Sequence, residues 1–250
     1  MRKSLFIYLP AMLAVLAMKV FYRTADSDML LWILTPTTWW VRVLSGISFE
    51  HILHVGYVSH EYRFIIAPSC SGVRFLLLTF VMIVFSYTHL IASQRKKICW
   101  LGFSAVFSYI TTIFVNGIRI TVSIYLPQIL MNRNLMSGWL TAEKLHTIIG
   151  TSIYFSMLFA IYYLVGKFCR QFFIKTDVES SNKVKLPVTG IREPMFWYFV
   201  MVLGLPFIGR LYQNNWEGFW QYVLLVTGVC VSIVVLFSLF SKIGRVKNKY

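Results

Sequence analysis

The stretch IIAPSCSGVR, residues 65–74, joins a polar, strand-like segment to a long apolar run. Pro68 favours an extended chain before it, and Gly72 permits a turn after it, so these residues predict a boundary between two elements. The apolar run that follows, from Ser71 to Ala92, is long enough for a membrane-spanning helix. We therefore expect Cys70 close to a membrane–water boundary, at the N-terminal end of that helix.

The composition of the chain is typical of a helical membrane protein. Its 250 residues are 58% hydrophobic and only 13% charged, whereas soluble domains carry roughly 25% charged residues. The 24 Lys and Arg residues outnumber the 9 Asp and Glu residues, but they cluster in short loops between apolar runs, which is a topology signal. Because there is no basic polar domain or nucleic-acid-binding motif, the expected partner is the lipid bilayer and not nucleic acid.

The apolar runs predict about six to eight transmembrane helices, with both termini in the cytoplasm. The strongest runs are residues 4–22, 71–92, 98–115, 146–167, 195–212 and 218–240. The first is interpreted as a retained span, because it lacks a convincing small-residue cleavage site. Residues 29–47 and 120–131 each contain a proline, and we expect them either to cross the membrane or to return to the same side.

The chain divides into three predicted regions. Residues 1–175 form a membrane core, residues 176–194 a polar cytoplasmic linker, and residues 195–250 an additional C-terminal helical hairpin. Within the core, residues 54–58 and 62–66 contain alternating β-formers and predict a small β-hairpin outside the bilayer. The predicted fold class is therefore an all-α integral membrane protein with a small extracytoplasmic β-hairpin before the helix that follows Cys70.

Three residues at the predicted outer ends of helices form a coherent set for acyl-transfer chemistry. Cys70 is a candidate nucleophile, because a thiolate near a helix N-terminus is stabilised by the partial positive charge there. Arg119 can stabilise an oxyanion or orient a substrate carbonyl, and His146 can accept or donate a proton near neutral pH. The basic loops alone predict this topology, so the agreement of the three residues with it is informative. The predicted reaction class is acyl transfer or peptide-bond cleavage through a thioester.

Four neighbouring residues are candidates for supporting roles. Asn116 precedes Arg119 by three positions and shares its face if the segment is helical. Ser71 and Gly72 follow the cysteine directly. Arg74 lies one turn along, where it either tunes the thiolate or anchors the helix at the interface. Each residue also has a simpler structural interpretation, such as a small residue at a turn or an arginine that reaches the interface.

The remaining cysteines and histidines give weaker signals. Cys99, Cys169 and Cys230 lie in or beside apolar runs and are most simply packing residues. No pair of cysteines has metal-ligand spacing, and we expect no cofactor and no metal. A metal site formed by the histidines at positions 51, 54 and 60 is conceivable, although their spacing is unspecific.

Three short motifs give the chain a resemblance to a known family. The motifs, each at a predicted helix start, are PSCSG at 68–72, NGIRI at 116–120, and His146 followed by Gly150. In this order, within a multi-span chain, they resemble the exosortase/archaeosortase family, which are multi-pass membrane cysteine proteases that act as transpeptidases. The upstream stretches resemble the exosortase K branch in particular: KVFY at 19–22, WILTPT at 32–37 and IIAP at 65–68.

The resemblance covers about residues 5 to 170 and implies a function. It implies that Cys70 is the nucleophile and that Arg119 and His146 complete the site. The implied substrates are surface-destined proteins with a C-terminal sorting signal, made of a short motif, one transmembrane helix and a basic tail. The enzyme would cut this signal at the outer boundary of the bacterial cytoplasmic (inner) membrane and pass the acyl group to an amine acceptor or to water.

Other membrane functions predict different residues. A lipid phosphatase of the acid-phosphatase type needs a histidine beside its Pro-Ser-Gly motif, whereas this chain has Pro-Ser-Cys-Ser-Gly. A non-catalytic transporter or assembly factor predicts ionisable residues buried in mid-span, and the clearest ones here were expected at helix ends. A lipid-modifying acyltransferase, which also suits a cysteine nucleophile, is left open.

Overall fold

The computed structural model describes residues 2–133, 141–169, 192–204 and 216–247, together with residues 171 and 207. Most of the predicted linker 176–194 and part of the predicted C-terminal hairpin 195–250 lie outside the described residues. The described chain is mainly helical. Five of its helices are long and apolar enough to cross a membrane: residues 6–24, 68–90, 94–132, 143–169 and 218–236. This finding supports the prediction of a helical membrane protein.

From the N-terminus, the main described elements are seven helices and three strands. The helices are α1 (Arg2–Thr24), α2 (Leu31–Ser45), α3 (Val73–Tyr87), α4 (Gln94–Asn132), α5 (Ala142–Cys169), α6 (Arg192–Phe199) and α7 (Glu217–Lys247). Strands β1 (Glu50–Ile52), β2 (Gly56–Ser59) and β3 (Phe64–Ile66) lie between α2 and α3. Short 3-10 turns at Pro68–Cys70 and Thr88–Leu90 flank α3, and a π-helical segment, Val200–Gly204, continues α6.

Helix α3 is at the centre of the packing, because its side chains are almost all apolar and largely buried. It contacts α1, α4, α5 and α6. Two apolar clusters result. One is formed mainly by α3 and α5 with parts of α6 and α7, and the other by α1, α2, α3 and the sheet. Helix α7 packs mainly against α5, so the C-terminal region joins the side of the bundle that carries α5.

The small sheet contains the predicted hairpin and one further strand. Strands β2 and β3 pair antiparallel, with Tyr57 opposite Ile66 and Ser59 opposite Phe64. This pairing confirms the hairpin expected between residues 54 and 66. Strand β1 adds to its other edge, with Glu50 opposite Val58. The sheet is therefore three-stranded, and its last strand leads directly into the 3-10 turn that contains Cys70.

Pro36 predicts a break in the helical pattern near the middle of the run 29–47, but this prediction is wrong, since α2 continues through the proline. A proline in a helix lacks the N–H that would bond to the carbonyl four residues earlier, which here is the carbonyl of Trp32. The hydroxyl of Tyr109, from α4, donates to that carbonyl oxygen at 2.6 Å. A side chain of a neighbouring helix thus replaces the missing main-chain donor.

The predicted division between runs 98–115 and 120–131 is also wrong. Residues 94–132 form one helix of 39 residues, which includes Pro127. Arg119 therefore lies inside a helix and not at its outer end. The segment remains helical because α2 lies alongside it: Trp40 packs against the Cα of Gly117, and the hydroxyl of Tyr125 donates to the carbonyl of Ser45 at 3.0 Å.

Candidate active site

The turn before α3 holds Cys70 in a defined position. Cys70 ends the 3-10 turn, and its amide donates to the carbonyl of Ala67 at 2.8 Å. The amide of Ser71 donates to the carbonyl of Pro68 at 3.1 Å. The hydroxyl of Tyr22, at the end of α1, donates to the same Pro68 carbonyl at 3.0 Å. Cys70 is only 7% exposed, so this thiol is placed in a largely enclosed position.

Gly72 is required at the start of α3 for two reasons. Its φ is +77°, in the left-handed region that residues with a β-carbon adopt only with strain. In addition, a β-carbon at this position would lie 2.9 Å from the side-chain amide of Asn116. Gly72 therefore lets α4 approach the Cys70 turn closely, and this approach brings Asn116 to the site.

Asn116 connects the Cys70 turn to Arg119. Its Nδ2 donates to the carbonyl oxygen of Cys70 at 2.6 Å, and its Oδ1 accepts from Nη1 of Arg119 at 3.3 Å. The Asn116 side chain is fully buried. A buried amide stabilises a structure only when its donor and acceptor are both satisfied, and both are satisfied here by groups of the candidate site.

Arg119 is a buried cation that contacts only neutral groups. It is 8% exposed, and its Nη1 donates to Asn116 and to the Tyr154 hydroxyl, the latter at 3.3 Å. No carboxylate forms an ion pair with it in the part of the chain that the structure describes. Its Nε is also buried and has no hydrogen-bond partner there. A buried positive charge without a counter-ion is costly, so the arrangement favours binding of negative charge.

Gly150 provides the space that Arg119 occupies. This glycine is buried on α5, and a β-carbon there would lie 3.0 Å from Nε of Arg119. Such a contact is tighter than most real β-carbons make, so a side chain at this position would displace the guanidinium. Gly150 thus sets where the cation lies between α4 and α5.

His146 contacts Arg119 directly. Its Nε2 lies 2.6 Å from Nη2 of Arg119, and the side chain is half-buried. Because arginine is always protonated and can only donate, Nε2 of His146 must be the acceptor. The imidazole is therefore neutral in this arrangement and carries its proton on Nδ1. Nε2 cannot accept a second proton until its contact with Arg119 is broken.

Tyr154 belongs to the same network, although the sequence analysis did not identify it. Its hydroxyl donates to Oδ1 of Asn116 at 2.7 Å, and its ring stacks on Phe75 with centroids 4.5 Å apart. The guanidinium carbon of Arg119 lies 5.3 Å from the ring centroid, within the range of a cation–π interaction. The signal was its spacing, because Tyr154 follows His146 by two helical turns and Gly150 by one.

The other two predicted supporting residues lie at the edge of the site. Ser71 is buried, and its Oγ lies 3.5 Å from the amide of Val73, where it partly caps α3. Arg74 is exposed at the start of α3.

The structure brings Asn116, Arg119 and His146 into direct contact and joins them to the main chain of Cys70. Such a site can hold a thiolate or an oxyanion beside a guanidinium, with an imidazole available for proton transfer. No family model, curated protein or solved structure matches this chain. The resemblance to exosortases therefore stays a prediction from the three motifs, and the functional argument depends on the site itself.

Proposed function

We propose that this chain is a membrane-embedded cysteine protease that acts as a transpeptidase on the C-terminal sorting signals of surface-destined proteins. The observation that carries this proposal is the buried Arg119, which contacts only neutral groups beside a buried cysteine. A site of this kind is stabilised when negative charge forms next to the guanidinium. Both the Cys70 thiolate and the oxyanion of a tetrahedral intermediate supply such a charge.

Formation of the nucleophile requires an exchange of partners at Arg119. Transfer of the Cys70 proton to Nε2 of His146 converts this nitrogen from an acceptor into a donor. The Arg119 Nη2 and the new Nε2–H then repel each other, while the thiolate attracts the guanidinium. We infer that Arg119 moves from His146 to the thiolate as the proton is transferred. This movement stabilises the Cys70 thiolate and also relieves the repulsion at the His146 imidazolium.

The chemical steps then follow from acyl transfer. The thiolate sulfur attacks the scissile carbonyl carbon, and the oxyanion of the intermediate is stabilised by Arg119. The C–N bond breaks as the His146 imidazolium donates its proton to the leaving amine. The resulting thioester reacts with an amine acceptor, which gives a new peptide bond, or with water, which gives a free carboxylate. Either reaction restores the Cys70 thiol.

The position of Arg119 in α4 supports a site at the outer boundary of the bacterial cytoplasmic membrane. Arg119 follows the basic cluster that ends at Lys97 by 22 residues of continuous helix, which is about 33 Å of helix length. This length is close to the thickness of the hydrocarbon core, about 30 Å. With the basic cluster in the cytoplasm, Arg119 reaches the extracytoplasmic interface, where the scissile bond of a sorting signal would lie.

The test is co-expression of the chain with a membrane-anchored protein that carries a motif, one transmembrane helix and a basic tail. The wild-type chain should remove a C-terminal tag from this substrate, and hydroxylamine should release a thioester of the substrate from Cys70. Cys70→Ala should abolish both results. The control is Cys99→Ala, which removes an exposed cysteine near the N-terminus of α4. It should change neither tag removal nor thioester formation.

Continued tag removal by Cys70→Ala would refute a cysteine protease. If Cys70 instead carried a hydroxylamine-sensitive lipid acyl group and the protein substrate stayed intact, the site would belong to a lipid-modifying acyltransferase. Labelling of intact cells with an impermeant thiol reagent tests the topology separately. A Cys70 that reacted only after permeabilisation would place the site on the cytoplasmic side.

A further inference from the structure

A second cluster of polar side chains lies between the end of α1 and the sheet. Asp26 and Asp28 are in the segment that joins α1 to α2, His51 is on β1, and His54 follows β1. The main-chain amide of His54 donates to Oδ2 of Asp28 at 3.1 Å and fixes this carboxylate against the sheet. We call these four residues the acidic–histidine cluster.

The ligand atoms of the cluster lie at distances that suit a small metal ion. Nδ1 of His54 is 3.3 Å from Oδ2 of Asp26 and 3.1 Å from Oδ2 of Asp28. Nε2 of His51 is 3.3 Å from Oδ1 of Asp28. Tetrahedral zinc bonds of about 2.0 to 2.1 Å separate neighbouring ligand atoms by about 3.3 to 3.4 Å. In the absence of a metal, Nδ1 of His54 and Oδ2 of Asp26 form a hydrogen bond.

The missing hydrogen bond at Oδ1 of Asp28 is a second observation that favours a bound cation. This oxygen is inaccessible to solvent and accepts no hydrogen bond among the residues that the structure describes. Nε2 of His51 lies 3.3 Å away but not in a hydrogen-bonding geometry. A buried carboxylate oxygen without a donor is costly, and a cation bound to the Asp28 carboxylate would reduce that cost.

We propose that Asp26, Asp28 and His54, whose ligand atoms lie within 4.8 Å of one another, bind a divalent transition-metal ion, for which zinc is the best fit. Imidazole nitrogen together with carboxylate oxygen suits zinc, whereas calcium and magnesium prefer oxygen ligands alone. The Met29 amide donates to Oδ1 of Asp26 at 2.9 Å and fixes this carboxylate, whose Oδ2 faces His54.

The proposed ligands differ from the trio considered from the sequence. His51 and His54 belong to the cluster, but His60 faces Glu50 instead, with Nε2 3.9 Å from Oε2. The aspartates were not considered, because about 25 residues of sequence separate them from the histidines. The metal would tie the outer end of α1 to the sheet whose last strand leads into the Cys70 turn.

The test uses the full-length protein purified in detergent, stripped with a chelator and titrated with Zn²⁺ against a chromogenic competitor. We expect about one ion per chain and a rise in the melting temperature with zinc. His54→Ala and Asp28→Asn should each weaken binding by at least about tenfold, since even loss of an outer partner of a metal ligand costs this much. His60→Ala is the matched control and should bind as the wild type does.

A second measurement does not depend on the folding of any variant. The Co²⁺-loaded wild type should show the absorption of a nitrogen and oxygen site and no thiolate-to-metal band, and Cys70→Ala should not alter it. Binding that His54→Ala and Asp28→Asn leave unchanged would overturn the proposal. So would a thiolate band that disappears in Cys70→Ala, or the absence of any stoichiometric ion in the wild type.

Discussion

The two polar clusters near the Cys70 turn differ in both charge and burial. The candidate active site contains the buried Arg119 with neutral partners, whereas the acidic–histidine cluster contains two carboxylates and the exposed His54. Arg119 has no acidic partner in the described chain, and the aspartates have no arginine or lysine partner there. The charges of one cluster therefore do not neutralise those of the other.

This difference shows what each cluster is suited to bind. Aspartates placed beside Arg119 would neutralise it and remove its attraction for a thiolate or an oxyanion. Such a pair would stabilise the fold at the expense of the proposed chemistry. The acidic–histidine cluster has the opposite character, because its carboxylates favour a cation. Separation of the two therefore keeps an electropositive site and an electronegative site close to the same turn.

The largest expected effect comes from removal of the Arg119 charge. Arg119→Gln should reduce processing of the sorting substrate by about 100- to 1,000-fold, the cost of losing one oxyanion donor. Arg119→Lys keeps the charge but loses the planar fork that contacts three partners, so its activity should lie between the two. Zinc binding should be unchanged in both variants. Equal processing by Arg119→Gln and the wild type would show that the buried cation has no catalytic role.

The next effect tests the position of the cation and not its charge. In Gly150→Ala the new methyl group displaces Arg119, and we expect processing to fall by about 10- to 100-fold, since small misplacements in a catalytic site are costly. Gly102→Ala is the control, because no atom lies within 4 Å of a β-carbon there. It should leave processing unchanged and leave the melting temperature unchanged or slightly higher. If both variants retained full activity, the position of Arg119 would not matter.

A smaller effect is expected from the Tyr154 hydroxyl. Tyr154→Phe keeps the ring stacked on Phe75 but removes the hydrogen bond to Asn116, which is worth about 0.5–1.5 kcal/mol. Processing should fall by roughly tenfold. Tyr109→Phe removes a similar hydroxyl that bonds to the carbonyl of Trp32, and its processing should stay near that of the wild type. Equal losses in both variants would indicate a general loss of stability.

The smallest effect is a pH dependence in the other cluster. The Met29 amide lowers the pKa of Asp26 below its ordinary value of 3.8, so the folded state favours the carboxylate. This contribution is present above the ordinary pKa and is lost as the pH falls through the lowered value. In metal-free protein, Asp26→Asn should melt slightly below the wild type at neutral pH, and the difference should shrink and disappear as the pH falls below the ordinary pKa of 3.8.

Glu61→Gln controls for the loss of one exposed carboxylate outside the cluster and outside any helix, and its melting temperature at neutral pH should change less than that of Asp26→Asn. A difference for Asp26→Asn that grew with acidification would contradict the argument. These measurements need only thermal unfolding and do not depend on a substrate.

The sequence predicted the helical membrane class and the β2–β3 pairing, because hydropathy and alternation are local signals. It did not predict the continuity of α4. Pro127 and the Asn-Gly pair at 116–117 are typical of helix ends, and the contacts of α2 that keep this segment helical are not local. A stripe of buried polar residues along α4 was a signal, with members spaced three or four apart: Ser104, Ser108, Thr112, Asn116, Arg119 and Ser123.

The candidate site was also predictable only in part, because its contacts join residues that are distant in sequence. Cys70, Arg119 and His146 were selected by residue type and order, and their catalytic roles stay predictions. The neutral state of His146 could not be predicted, because it depends on a contact between two helices. Strand β1 has only three residues and gave no periodic signal. The partners of His51 and His54 lie before α2, and only the fold brings them together.

The unequal lengths of α3 and α4 would make the geometry of the candidate site depend on the thickness of the lipid bilayer. Helix α4, with 39 residues, is about 58 Å long, while α3, with 15 residues, is about 23 Å long. In a thinner bilayer a long helix tilts, but a short one has no excess length to accommodate. The hydrogen bond between Asn116 and the carbonyl of Cys70 joins α4 to the turn that leads into α3. Acyl-chain length in a reconstituted bilayer would therefore change the alignment of the guanidinium and the thiol.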